Sequence, residues 1–188
     1  MTRAAAVAVN RMEYLELVLV RESLDNIPQH PLPPGYRMRT YRRGDRRTWV
    51  SIERASEPFG RITRKTFDAS FGEDLGAMPR RCLFLLAAGG EEVGTITAWY
   101  DRNYRGRRWG RIHWVAIIPA HRGRGLSKCM MTVAMDRLRA LGHRRVVLGT
   151  HTPRIAAIKT YLDFGFQPEI TTPEAERAWR LVRRHLRR

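Results

Sequence analysis

Two glycines set among arginines, in the run AHRGRGLSK (residues 120–128), are the first residues of this chain whose type and spacing suggest chemistry. An apolar run ends just before them at Pro119, and a long apolar-periodic segment starts just after them at Leu126. Gly123 and Gly125 would let the backbone come close to an anion, and the first free amides of the following helix would point at it. Arg122 and Arg124 would add charge from the side. The turn is not a P-loop, which ends in Gly-Lys-Ser/Thr, because Leu126 and Ser127 follow Gly125. Nor is it a dinucleotide fingerprint, since Lys128 stands where the third glycine belongs. Taken alone, the run is either an anion site or only a turn.

The surrounding elements decide what could be held there. YLELVLV (14–20) and YRMRTY (36–41) read as strands, joined by the proline-rich DNIPQHPLPPGY. Residues 44–56 carry Trp49, Ile52 and Ala55 at helical spacing with Asp45 as N-cap, and a weaker helix runs over 64–71. RCLFLLAAGGEEVGTITAWYD (81–101) reads as a hairpin turning at Gly89-Gly90. RIHWVAII (111–118) is apolar on both faces apart from His113, which predicts a central strand. The segment from Leu126 keeps Met130, Ala134 and Leu138 on one stripe and stops at Gly142. A strand at RRVVLGT, a helix at RIAAIKTYLDF, a short strand near Phe166 and a last helix from Pro173 complete the order. This mixed order predicts an α/β or α+β sheet with helices on its faces.

Composition narrows the classes. The chain has 188 residues, 43% of them apolar and dispersed, which suits one globular domain. Residues 1–30 are expected to be an N-terminal tail and an extra strand, and 31–188 a single domain. No apolar run approaches a membrane span, and the start lacks a signal-peptide pattern, so the expected place is the cytoplasm. Cys82 and Cys129 lack any partner at ligand or disulfide spacing and read as buried thiols; no metal site is expected. The formal charge is +17, and all basic residues except Lys65, Lys128 and Lys159 are arginines. Such a field would attract nucleic acid, phosphorylated ligands or acidic surfaces. The arginines are scattered, which favours a solvated surface over a recognition patch.

The strand, the Arg-Gly-Arg-Gly turn and the helix together resemble the acetyl-CoA-binding motif of the Gcn5-related N-acetyltransferases, the GNAT family. Gly123 and Gly125 match its glycine positions, whereas Ala120 departs from its first position. AAIKTYLDFGF (156–166) resembles a second family segment, with Ala157, Ile158, Tyr161, Gly165 and Phe166 in register. The resemblance implies a mixed, mostly antiparallel central sheet flanked by helices, with acetyl-CoA as acyl donor. It implies that backbone amides of Arg122, Gly123, Arg124, Gly125, Leu126 and Ser127 hold the pyrophosphate. The strand around Val115 and Ile117 would bond the pantetheine arm. Arg154 stands where many members have an asparagine.

Acetyl transfer to an amine needs a neutral nucleophile, a polarised carbonyl and a proton for the leaving thiolate. The resemblance assigns that proton to Tyr161 and the polarising amide to the strand near Val115. For the general base, His113 is the first candidate; Glu53, Glu57 and Asp101 are others, and water can also relay the proton. The expected function is acetyl transfer to a small-molecule or peptide amine whose identity would lie in loops 57–63 and 101–109. A non-catalytic acyl-CoA-binding protein and an arginine-rich nucleic-acid-binding protein are the alternatives. The oligomeric state stays open, a homodimer included.

Overall fold

A computed structural model describes residues 12–186. The tail expected over residues 1–10 therefore lies outside the described residues. The strands are β1 (Glu16–Arg21), β2 (Arg37–Thr40), β3 (Cys82–Leu86), β4 (Glu92–Tyr104), β5 (Arg107–Ile117), β6 (Val146–His151) and β7 (Gln167–Pro168). The helices are α1 (Arg46–Ser56), α2 (Arg64–Phe71), α3 (Met78–Arg81), α4 (Leu126–Ala140), α5 (Ile155–Asp163) and α6 (Pro173–Leu186). All seven strands form one sheet in the order β2-β3-β4-β5-β6-β1-β7. Among the described residues, only the β5–β6 pair is parallel. The mixed, mostly antiparallel sheet with flanking helices is thus the expected one, and β5 lies at its centre.

Alternation along each strand divides two apolar layers. Leu83 and Leu85 of β3 face a layer shared with Met130, Ala134 and Leu138 of α4 and with Trp179 of α6. Cys82, Phe84 and Leu86 face the other layer, with Trp49 and Ile52 of α1 and Phe67 and Phe71 of α2. Trp49 is fully buried and meets Phe67, Phe71 and Trp114 edge-on, with ring centroids 5.1–5.6 Å apart. Each such pair is worth roughly 0.5–1.5 kcal/mol beyond burial. This cluster seats α1 against β5, and so fixes where the next turns of α1 place Glu53 and Glu57.

Two features depart from the sequence reading. Residues 101–109, expected as a loop, continue β4 into β5 as a long hairpin with its tip at Arg105-Gly106. The arginine-rich run there pairs outward, Arg105 with Glu22 and Glu169, and sits at the far end of the strands from the glycine turn. Asp45 does cap α1 by position, yet its carboxylate turns away to Arg39 and to the Arg42 amide (2.6 Å). Among the described residues, no helix is long and apolar enough to cross a membrane.

Candidate active site at the parting of two strands

The site exists because β5 and β6 pair only at Gly110–Val146 and Arg111–Val147. Beyond Arg111 the two strands have no ladder between them, and a gap opens in the middle of the sheet. A bulge marks the same place. Between Thr95–Ala116 and Thr97–His113, β5 holds one residue more than β4. Trp114 takes up the extra residue with φ +50, a left-handed conformation unfavourable for an aromatic side chain. Its packing on Trp49 and the hydrogen bond from its Nε1 to Ser70 Oγ (2.9 Å) hold it there.

Two cavities meet in this gap. The first, about 270 Å³, is walled by Val115 and Ile117 of β5, by the turn residues Arg122, Gly123 and Gly125, and by Leu126 and Ser127 of α4. Tyr161 and Ala157 of α5 close its other side. Every residue expected to hold the cofactor lines this cavity except Arg124. Gly123 and Gly125 have φ +74 and +73, and an added Cβ at either would meet nothing within 4 Å. Their lack of side chains serves a conformation and an approach path, not a tight packing contact. Gly125 caps α4 without a side-chain hydrogen bond; the Lys128 amide turns to the Gly125 carbonyl (3.1 Å), and Leu126 and Ser127, which line the cavity, have no side-chain cap on their amides.

The flanking arginines do something other than expected. Arg122 donates from Nε to the Ile117 carbonyl (2.9 Å) and from its guanidinium to the Ser56 carbonyl (2.9 Å). Arg124 donates to the Tyr36 hydroxyl (3.0 Å) and the Ala120 carbonyl (3.3 Å), and His121 meets the same hydroxyl at 2.9 Å. These bonds brace the turn. What the turn presents to an anion is mainly backbone N–H and the positive end of α4.

The second cavity, about 370 Å³, opens beside the first and shares Glu53, Glu57, Val115, Arg154 and Tyr161 with it. His113, Trp114, Tyr14 and His151 supply aromatic walls. Electrostatics single out three groups at the junction. Glu53 is buried, its Oε1 has no hydrogen-bond partner, and burial with help from Glu57 pushes its carboxyl up to about 8, against the pull of Arg154. Burial raises the Tyr161 hydroxyl to about 12, so it is protonated at neutral pH. Arg154 forms a close ion pair with Glu57 and lies over the Phe59 ring, tying the start of α5 to the end of α1.

His113 lies in the second cavity, edge-on to Phe71 (5.6 Å) and beside Trp114 (5.8 Å). Burial and the Arg111 charge lower its pKa to about 3. It is neutral across the working range and a poor proton acceptor. Asp101 lines neither cavity and faces Arg111 at 3.7 Å. The sequence named Glu53 only as one of several acids. Its isolation becomes visible when α1 is seated on the sheet.

A cleft with an uncapped, glycine-built helix start at one end and paired acid–base groups at the other suits transfer of a group carried on a phosphorylated donor. The family model described as Acetyltransferase (GNAT) family matches residues 46–166. The chain belongs to this family of acetyltransferases. Relatives include the mycothiol acetyltransferase of Sanguibacter keddieii, 32% identical over 153 residues, which cover 76% of this chain and 47% of the relative. N-acetyltransferase 8B of Rattus norvegicus is 35% identical over 86 residues, 45% of this chain and 39% of that protein. The chain spans about half the length, or less, of these curated relatives. Among solved structures, a GCN5-related N-acetyltransferase from Sphaerobacter thermophilus shares the fold with a TM-score of 0.68 at 21% identity, over 83% of this chain and 49% of that one.

Proposed function

We propose that the protein transfers the acetyl group of acetyl-CoA to the amine of a small-molecule or peptide acceptor by direct attack on the thioester. The observation that carries this reading is the meeting of two cavities at one group of ionisable side chains, Glu53 and Tyr161 with Glu57 and Arg154. The donor enters from the first cavity, its pyrophosphate on the amides of residues 123–127, since the Arg122 amide donates to the Pro119 carbonyl (3.2 Å), and its pantetheine along the unpaired edge of β5. The acceptor enters from the second. Glu53, ionised, takes a proton from the acceptor ammonium, and the neutral amine that results attacks the thioester carbonyl. The Val115 amide, just past the bulge, polarises the thioester carbonyl. When the carbon–sulfur bond breaks, the Tyr161 hydroxyl gives its proton to the leaving sulfur. His113 shapes the acceptor wall in this scheme, and the base role expected of it passes to Glu53.

Glu53 suits the task because its carboxyl titrates near the pH at which amines begin to lose their protons. An ordinary surface carboxylate, with a pKa of about 4, would be ionised in that range but a far weaker proton acceptor. The test is release of CoA thiol with a panel of amines, followed by mass measurement of the acetylated product. Curated relatives include several mycothiol acetyltransferases and an L-methionine sulfoximine/L-methionine sulfone acetyltransferase, so amino-acid-derived amines belong in the panel. Amine-dependent thiol release with one acetyl transferred per CoA is the expected result. Tight CoA binding with no transfer to any amine would favour the non-catalytic reading.

A further inference from the structure

The largest cavity among these lies away from the acetyl-transfer cleft and shares no residue with it. It measures about 1050 Å³ and lies between α1 and α2, with Leu75 and Pro79 closing one side. Five arginines line it: Arg43, Arg46, Arg47, Arg54 and Arg64. Against them stands one carboxylate, Asp68, which meets Arg46 at 2.6 Å and Arg64 at 3.9 Å. Arg54 donates to the Ile62 carbonyl (3.2 Å). Arg43 and Arg47 are exposed and have no side-chain partner among the described residues.

The charges are also placed against the helix fields. Neither α1 nor α2 has an acid in its first turn, where the macrodipole favours one. Both have basic residues there instead: Arg46 and Arg47 in α1, Arg64 and Lys65 in α2. The last helix shows the ordinary arrangement, with Glu174 and Glu176 first and Arg183 and Arg184 last. Five like charges converging on one concavity repel one another and have too few counter-ions within the fold. An anion in the cavity would relieve that repulsion, and guanidiniums match phosphate oxygens in bidentate geometry.

We propose that this cavity binds a nucleotide-sized organic phosphate. The phosphates lie among Arg43, Arg46, Arg47 and Arg64, and the organic part lies against the half-buried Tyr41 and Val50. The size is that of a small-ligand site rather than a track for a polymer. α1 gives the site a route to the chemistry, because Arg47, Ser51 and Arg54 line this cavity while Glu53 and Ser56 of the same helix line the acetyl-transfer cleft. Occupancy would therefore bear on where Glu53 sits.

The overall charge of +17 would attract any polyanion, so the test compares equal losses of charge at two places. One variant is Arg43→Ser with Arg47→Ser, at exposed positions that leave the core alone. The control is Arg183→Ser with Arg184→Ser on α6. Binding of ATP, inorganic tripolyphosphate, an oligonucleotide and acetyl-CoA is measured by calorimetry at physiological salt. The first variant should lose ATP affinity by tenfold or more while the control stays within twofold of the parent, and acetyl-CoA affinity should hold in both. ATP binding tighter than tripolyphosphate would place the organic part on the apolar wall; equal binding would reduce the site to its phosphate chemistry. Equal loss in the two variants, no ATP binding in the parent, or an oligonucleotide that binds more tightly than ATP and depends on Arg43 and Arg47 would overturn the proposal.

Discussion

Replacing Glu53 by glutamine tests the acid–base scheme and the burial that underlies it in one protein. The isostere keeps the shape and removes the charge. With a folded pKa of about 8, roughly a tenth of the Glu53 carboxyls are ionised at pH 7. The parent's kcat/KM should therefore rise about tenfold per pH unit below 8 and level off above it, beside whatever the amine itself contributes. Glu53→Gln should lower the plateau by roughly 10²- to 10⁴-fold, the usual range for a lost general base, and remove the step near pH 8. Stability should move the other way. Glu53 is raised from 4.5 in the unfolded chain to about 8 in the folded protein, so between those values the folded state binds more protons. Its contribution is fully present below about pH 4.5, declines as pH rises, and is lost above 8. The ceiling is about 1.4 kcal/mol per pH unit across that window. Denaturant midpoints of parent and Glu53→Gln measured from pH 4 to 9 should diverge in favour of the variant as pH rises. Parallel curves would refute the burial argument, and an unchanged rate profile would remove Glu53 from the chemistry.

Three other substitutions probe the rest of the cleft. Tyr161→Phe should lower kcat by roughly 10²-fold with CoA affinity unchanged, as steady-state rates and calorimetry will show; full activity would make Tyr161 a packing residue. Gly125→Ala adds a methyl group to open space but forces alanine to φ +73, so thermal unfolding should report a loss of about 1–2 kcal/mol. CoA affinity should fall at least tenfold, because the methyl group stands in the anion's path; unchanged affinity would leave the turn without a ligand. Arg154→Met leaves Glu57 without its ion-pair partner and withdraws a charge that holds Glu53 down, so the rate profile should shift to higher pH. A shift to lower pH would contradict that reading of the junction.

Much of this was legible in the sequence because it is local. The α4 stripe from Leu126 to Leu138 reads correctly from spacing, as does the Gly89-Gly90 hairpin. The helix over 64–71 appeared where expected, although its capping box, Thr63 with Thr66, was not recognised. The β4–β5 hairpin through 101–109 was hidden because RNYRGRRWGR is charged on its exposed face and so lacks the apolar signal of a strand. Trp114 gave no warning of its positive φ, which depends on Trp49 and Ser70, residues 65 and 44 positions away. Arg122 and Arg124 look like phosphate ligands from position alone, whereas the nearby Ile117 and Ala120 carbonyls and, from far along the chain, the Ser56 carbonyl and the Tyr36 hydroxyl claim their guanidiniums. Arg43, Arg46 and Arg47 already stand together in RRGDRR, a cluster the sequence reading passes over, whereas Arg54 and Arg64 join them only when α1 and α2 pack side by side.

A crystal structure with acetyl-CoA bound tests the central claim most directly. The pyrophosphate should lie on the backbone amides of residues 123–127, the pantetheine in the gap where β5 leaves β6, and the thioester sulfur within hydrogen-bond reach of the Tyr161 hydroxyl. Glu53 should then face the acetyl carbon across the space that joins the two cavities. A pyrophosphate seated instead among the arginines between α1 and α2, or a thioester pointing away from Tyr161, would contradict it.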